Sequence, residues 1–187
     1  MSDMKFTIQS ISGVILIEPT IYGDNRGYFV ETHRQDLLEE ALGYKVNFVQ
    51  DNDSKSSKGV LRGLHYQIPP YSQAKLVRVI EGSVLDIVVD IRKSSPTFGK
   101  HVAIVLTAEN KHQIFIPHGF AHGFIVLSDS ATFSYKVDNY YSPEHERGIA
   151  FDDKNLAINW RIPLEDIVLS NKDKAHPSLS DAIELFE

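Results

Sequence analysis

Short runs of alternating or continuous apolar residues, broken by Gly, Pro, Ser and Asn, dominate the chain. That pattern predicts strands, because side chains on an extended backbone point alternately to opposite faces. Gly13–Glu18 reads as one strand, and Tyr28–Thr32 as another after the turn signal Gly23–Gly27. Further strands are predicted over Lys45–Asp51, Gly59–Gln67, Lys75–Glu81, Ser83–Asp90, His101–Leu106, Gln113–Pro117, His122–Leu127 and Ala131–Val137. Arg34–Leu42 departs from the pattern. There Leu37, Leu38, Ala41 and Leu42 recur at helical spacing, and Gly43 can end the helix. Ser83–Asp90 is more apolar than simple alternation and predicts a central strand. Lys55–Lys58 reads as a loop. Pro143–Glu187 is polar and loop-rich, with a short helix expected near Leu179–Leu185. Many short strands at close spacing predict an all-β sandwich or barrel with a few short peripheral helices. No linker or repeat divides the chain, so one domain is expected over residues 1–187.

Composition narrows the chemistry. Hydrophobic residues make up 42%, which supports a packed core. The net charge of −6 argues against a nucleic-acid partner, since phosphate backbones reward a basic face. An anionic ligand would need a local cluster of Arg and Lys. The absence of Cys excludes disulfides, thiolate nucleophiles and Cys-based zinc sites, and it is compatible with a reducing cytoplasm. Met1–Thr7 lacks the apolar stretch of a leader. No apolar run approaches the roughly 20 residues of a membrane helix. A cytoplasmic protein with no membrane partner is the expectation.

Leu61-Arg-Gly-Leu-His-Tyr-Gln67 and the following Lys75 gather more capable side chains than any other stretch. His can act as a base near neutral pH. Arg can grip phosphate, and Lys can stabilise an oxyanion. Strict alternation puts Leu61, Gly63, His65 and Gln67 on one face, and Arg62, Leu64 and Tyr66 on the other. A face carrying Gly, His and Gln suits the floor of a wet pocket better than a core. Arg62 could then reach the same ligand only if the strand twists, bulges or ends near it. Arg26, Arg62 and Lys75 as a set could hold a diphosphate. His118 and His122 stand four residues apart in Pro117–Phe124, which invites a metal reading. The Gly and aromatic residues between them favour a tight turn with one pocket-facing His instead. Tyr135, in an aromatic-rich strand, could act as an acid. Asp173 could orient a His.

Eight segments, in order along most of the chain, resemble the dTDP-4-dehydrorhamnose 3,5-epimerase family. They are Asp24–Glu31, Phe48–Asn52, Leu61–Gln67, Lys75–Arg78, Ile116–Phe124, Tyr135–Tyr141, Glu146–Ile149 and Leu169–Asp173. The resemblance implies a cupin-type jelly roll, a homodimer and no cofactor. Gln67 and Lys75 stand where metal-binding cupins carry a second His and a Glu, so no metal is expected. By resemblance the substrate is a dTDP-linked 4-keto-6-deoxyhexose, His65 is the base and Tyr135 the acid. Asp173 then orients His65, and Lys75 stabilises an enolate. Binding roles carry onto Arg26, Phe29, Glu31, Gln50, Asn52, Arg62, Lys75, His122, Tyr141, Glu146 and Lys172. Family N-terminal strands cross between subunits, so Arg26 and Glu31 are expected to serve a neighbour's site. His118, Ser134, Val137 and the tail beyond Asp173 depart from the family pattern.

The implied chemistry suits the residues. Hydrogens at C3 and C5 flank a ketone, and inversion needs removal from one face and return on the other. One base returning its own proton would restore the starting isomer, so two groups on opposite sides are required. A His with a pKa of roughly 6.5 cannot deprotonate a ketone without enolate stabilisation. Three alternatives stand beside this reading. A C3-only or C5-only epimerase would exchange one position. A silent sugar-nucleotide-binding cupin would bind dTDP without exchange. A metal-dependent cupin oxygenase or isomerase would carry stoichiometric metal.

Overall fold

The computed structural model describes residues 4–187, so the first three residues of the stretch read as lacking leader character lie outside the described residues. In chain order the first elements are β1 (Met4–Ile8), β2 (Ile15–Pro19), β3 (Ile21–Asp24), β4 (Gly27–Val30) and α1 (Gln35–Leu42). There follow β5 (Gln50–Ser57), β6 (Leu61–Gln67), β7 (Lys75–Glu81), β8 (Ser83–Asp90) and β9 (His101–Thr107). The last are β10 (Gln113–Ile116), β11 (Phe120–Val126), β12 (Ser130–Val137) and β13 (Glu146–Gly148). One sheet has six strands in the order β1-β2-β10-β7-β12-β5, and a second has five in the order β13-β6-β11-β8-β9. All their pairings are antiparallel. The all-β expectation holds as a two-sheet jelly roll. β3 and β4 form a separate hairpin.

Three apolar clusters explain the layering. Val77, Val79, Ala131 and Phe133 of the first sheet meet Val84, Val88, Leu106 and Phe124 of the second. Leu85, Ile87 and Val89 face the other way, under Leu156, Trp160 and Leu179 of the C-terminal segment. β8 is therefore covered on both faces, which is why its sequence is nearly all apolar, and it lies between β11 and β9. A third cluster puts Leu38 of α1 over Ile15, Ile17, Leu76 and Phe115 on the outer face of the first sheet. The helix ends as the sequence indicates, with Gly43 in the left-handed region at φ 75°.

Several expectations are corrected. The strand assigned to Lys45–Asp51 begins only at Gln50, and Lys55–Lys58 is mostly strand rather than loop. β5 is a polar edge strand, so apolar periodicity is absent from it, while Val46 and Phe48 join the cluster beneath α1. No helix forms over 179–185; Leu179 and Leu185 instead cap the outer face of the second sheet from turns. β1 was not anticipated. Among the described residues no helix is long and apolar enough to cross a membrane.

Candidate active site

Between the sheets, at the end where β5 supplies polar side chains instead of core, lies a cavity of about 750 Å³. The inward phase of each strand decides what lines it. On β12, Ala131, Phe133 and Tyr135 pack toward the inter-sheet core, so Tyr135 continues an apolar row into the cavity. On β7, Val77 and Val79 share the inward phase with Lys75. On β5 the inward row is Gln50, Asn52 and Ser54. The second sheet contributes Arg62 and His65 from β6 and His122 from β11.

β6 does not alternate as the sequence suggests. Its pairing with β11 shifts register: His65 faces His122, yet Arg62 faces Phe124. Three steps along β6 match two along β11, which is a β-bulge. The extra residue puts Arg62 and His65 on one face, while Leu64 and Tyr66 join the outer cluster. Gly63 makes this possible. Its φ is +137°, and a Cβ there would sit 2.5 Å from the Cα of Gly123 on the neighbouring strand. Gln67, expected on the pocket floor, is buried and holds the surrounding loops instead. Its Nε2 donates to the carbonyls of Tyr71 and Tyr140, and its Oε1 accepts from the amide of Ser142.

His65 and Asp173 form a tight pair, Nε2 to Oδ1 at 2.5 Å. Burial pulls the His65 pKa below its ordinary value, against the upward pull of Asp173; the Lys75 charge adds to the depression. Burial of Asp173 is outweighed by the imidazoles of His176 and His65, which hold its carboxyl well below the usual range. Burial brings Lys75 down to about 8 despite the charges of Asp86 and Glu146. Burial pushes Tyr135 up, with Arg62 opposing, so the phenol stays protonated at neutral pH. At the mouth, Glu146 Oε2 accepts from Lys172 Nζ and from the Tyr141 hydroxyl, both at 2.8 Å. Arg62 Nε donates to Ser56 Oγ at 3.1 Å.

Of the residues singled out from the sequence, His65, Tyr135, Asp173, Lys75, Gln50, Asn52, Arg62, His122, Tyr141, Glu146 and Lys172 line this one cavity. Arg26, Phe29 and Glu31 do not. Arg26 pairs with Asp24 on the exposed β3–β4 hairpin, Phe29 is 64% exposed, and Glu31 lies 3.8 Å from Arg34. His118 pairs with Asp138 at the surface, while His122 points into the cavity and pairs with buried Asp86 at 2.8 Å. The two histidines thus part company, as the turn reading anticipated. Sequence reasoning missed Asp86, Ser54 and His176. Asp86 was visible as a lone acid in an apolar strand. Ser54 follows from Gln50 and Asn52 by alternation once β5 is placed correctly.

The whole-chain comparison fits this geometry. Residues 9–181 match the family model described as dTDP-4-dehydrorhamnose 3,5-epimerase. The chain belongs to the dTDP-4-dehydrorhamnose 3,5-epimerase family. A curated member from Shigella flexneri is 59% identical over 163 residues, covering 87% of this chain and 89% of the relative. The member from Pseudomonas aeruginosa is 53% identical over 180 residues, covering 96% and 98%. The crystal structure of dTDP-6-deoxy-D-glucose-3,5-epimerase from Legionella pneumophila, in complex with dTDP-4-keto-L-rhamnose, superposes with a TM-score of 0.95. It is 49% identical, covering 99% of this chain and 98% of that one. The jelly roll is accordingly of the cupin type found in these epimerases, and the protein is an isomerase by family.

Proposed function

We propose that the chain inverts C3 and C5 of dTDP-4-keto-6-deoxyglucose, giving dTDP-4-dehydrorhamnose. The observation that carries the reading is the placement of His65 and Tyr135 on opposite sheets around one cavity, with Lys75 beside them. Inversion next to a ketone asks for such a pair. Asp173 occupies Nε2 of His65, which leaves Nδ1 to take the proton from C5 or C3. The electrons of that C–H bond move into an enolate, whose oxygen is stabilised by the Lys75 ammonium. Tyr135 then gives its hydroxyl proton to the opposite face of the carbon. Between inversions His65 returns its proton to solvent and Tyr135 regains one. The depressed His65 pKa keeps the imidazole neutral, and so basic, at neutral pH.

Binding follows the charge distribution. Arg62 and Lys172 supply the positive charge a diphosphate needs within an acidic protein, with Gln50, Asn52, His122, Tyr141 and Glu146 as polar contacts. The cavity volume lies within the range of small-molecule sites. The mechanism invokes no cofactor. The reading extends to a cytoplasmic homodimer in which Arg26, Phe29 and Glu31 of the exposed hairpin complete the neighbouring site. Support for this comes from their position outside the cavity of their own chain. Incubation with dTDP-4-keto-6-deoxyglucose in deuterated water, followed by NMR, tests the function. Deuterium should enter at both C3 and C5 with inversion. Exchange at a single carbon would mean a mono-epimerase, and exchange at neither would end the proposal.

A further inference from the structure

A third side chain stands behind the His65–Asp173 pair and has no part in the mechanism above. His176 Nε2 lies 3.4 Å from Asp173 Oδ1, the same oxygen that His65 Nε2 meets at 2.5 Å. The two imidazoles meet edge to face with centroids 5.5 Å apart. Nε2 of His176 is buried and makes no hydrogen bond. Its slot exists because Gly148 lies opposite His65 in the β13–β6 ladder, and a Cβ on Gly148 would collide with the His176 ring. The ligand atoms of His65, Asp173 and His176 all lie within 4.8 Å of one another.

Two imidazoles and a carboxylate, converging with one position open, are a donor set suited to divalent zinc. We propose that His65, Asp173 and His176 form an exchangeable zinc site behind the base that reversibly shuts off turnover. The inference rests on His65 being that base. Ligands on a tetrahedral zinc with bonds of about 2.0–2.1 Å stand about 3.3 Å apart. The His65–Asp173 pair must therefore open somewhat from 2.5 Å, while the 3.4 Å between His176 and Asp173 already suits. Zinc takes the Nε2 lone pair of His65, so the ring's single proton leaves Nε2 for solvent and a solvent proton is taken up at Nδ1. The ring, neutral apart from the metal, then carries its one proton on Nδ1. Nδ1 is the nitrogen that has to accept the substrate's proton, so the base is blocked. His176 does not line the cavity, so the metal sits behind the site and leaves the sugar nucleotide room to bind.

The experiment compares the full-length protein with His176→Gln at free zinc fixed by a metal buffer. Solvent-deuterium exchange, dTDP affinity and visible absorption after titration with cobalt(II) are followed. In the unsubstituted protein zinc should lower kcat with dTDP affinity unchanged, and EDTA should restore it. His176→Gln should turn over normally without metal, need at least about tenfold more zinc for inhibition, and lose the tetrahedral cobalt band. Indifference of the unsubstituted protein to zinc would overturn the proposal. So would equal zinc sensitivity of the two proteins, or inhibition that vanishes in His122→Gln but persists in His176→Gln, which puts the ion at the front of the cavity. If His65→Ala still exchanges deuterium, the assignment of the base fails. The cobalt comparison would then judge the metal site independently.

Discussion

Lys75→Met should weaken the reaction and strengthen the fold at once. The Lys75 ammonium sits in the wall of the inter-sheet cavity, and burial brings its pKa from 10.5 to about 8. At about 1.4 kcal/mol per tenfold change in proton affinity, that drop corresponds to about 3 kcal/mol against the charged folded state. Solvent in the open cavity screens part of it, so about 1–2 kcal/mol is the expected net cost. Between pH 8 and 10.5 the unfolded chain binds more protons than the folded one, so stability rises with pH across that window. Below it the cost is constant. Met keeps the length and apolar stem without the charge. At pH 7 the variant should resist urea better by about 1–2 kcal/mol, with the m-value unchanged. Its advantage should vanish by pH 10.5, where Lys75 has lost its charge. Turnover should fall about 10²–10³-fold for want of the enolate's partner. Both proteins are compared at one concentration, because assembly would add its own stabilisation. A less stable variant at pH 7, or an advantage that ignores pH, would refute the reasoning.

Other substitutions separate the remaining roles. His65→Ala should abolish deuterium exchange while dTDP still binds; loss of dTDP binding would mark His65 as structural. Tyr135→Phe should leave proton removal but no opposite-face donor, so deuterium enters with retention, and inverted product at the normal rate would contradict the assignment. Asp173 pulls the His65 pKa upward against burial, so Asp173→Asn should move the acidic limb of kcat/KM to lower pH with reduced kcat. A shift upward would be incompatible with that pairing. Asp90 is buried, and bonds from Arg92, Ser95 and Thr97 overcome that burial to hold its carboxyl at about 2 rather than 3.8. This contributes about 2 kcal/mol above pH 3.8 that is lost as pH falls toward 2. Asp90→Asn should cost that amount in urea unfolding at pH 7 and little at pH 2.

Alternation and breakers were enough to locate most strands and the helix, because those elements bury one face or both. β5 escaped because its inward row serves ligand rather than core, so its polarity resembles a loop. The expected helix near 179–185 escaped for the opposite reason: apolar residues can cap a sheet from turns without helical spacing. Eleven site residues carried by resemblance line one cavity. Arg26, Phe29 and Glu31 lie outside it. His176 follows Asp173 by three residues, at a 3-10 turn, and nothing in its sequence neighbourhood shows that the turn folds it back onto the carboxylate.

The bulge in β6 separates two properties that strands usually tie together. Passing over one residue between Arg62 and His65 leaves a regular alternation: Arg62 in, Leu64 out, His65 in, Tyr66 out. The extra residue therefore resets the alternation, so that two side chains three apart in sequence enter one cavity. It bends the strand and changes their aim. In a regular strand facing follows the parity of the chain; here it follows one glycine. The family resemblance finds the residues, but only the backbone at Gly63 directs His65 across the cavity toward the sheet that carries Tyr135.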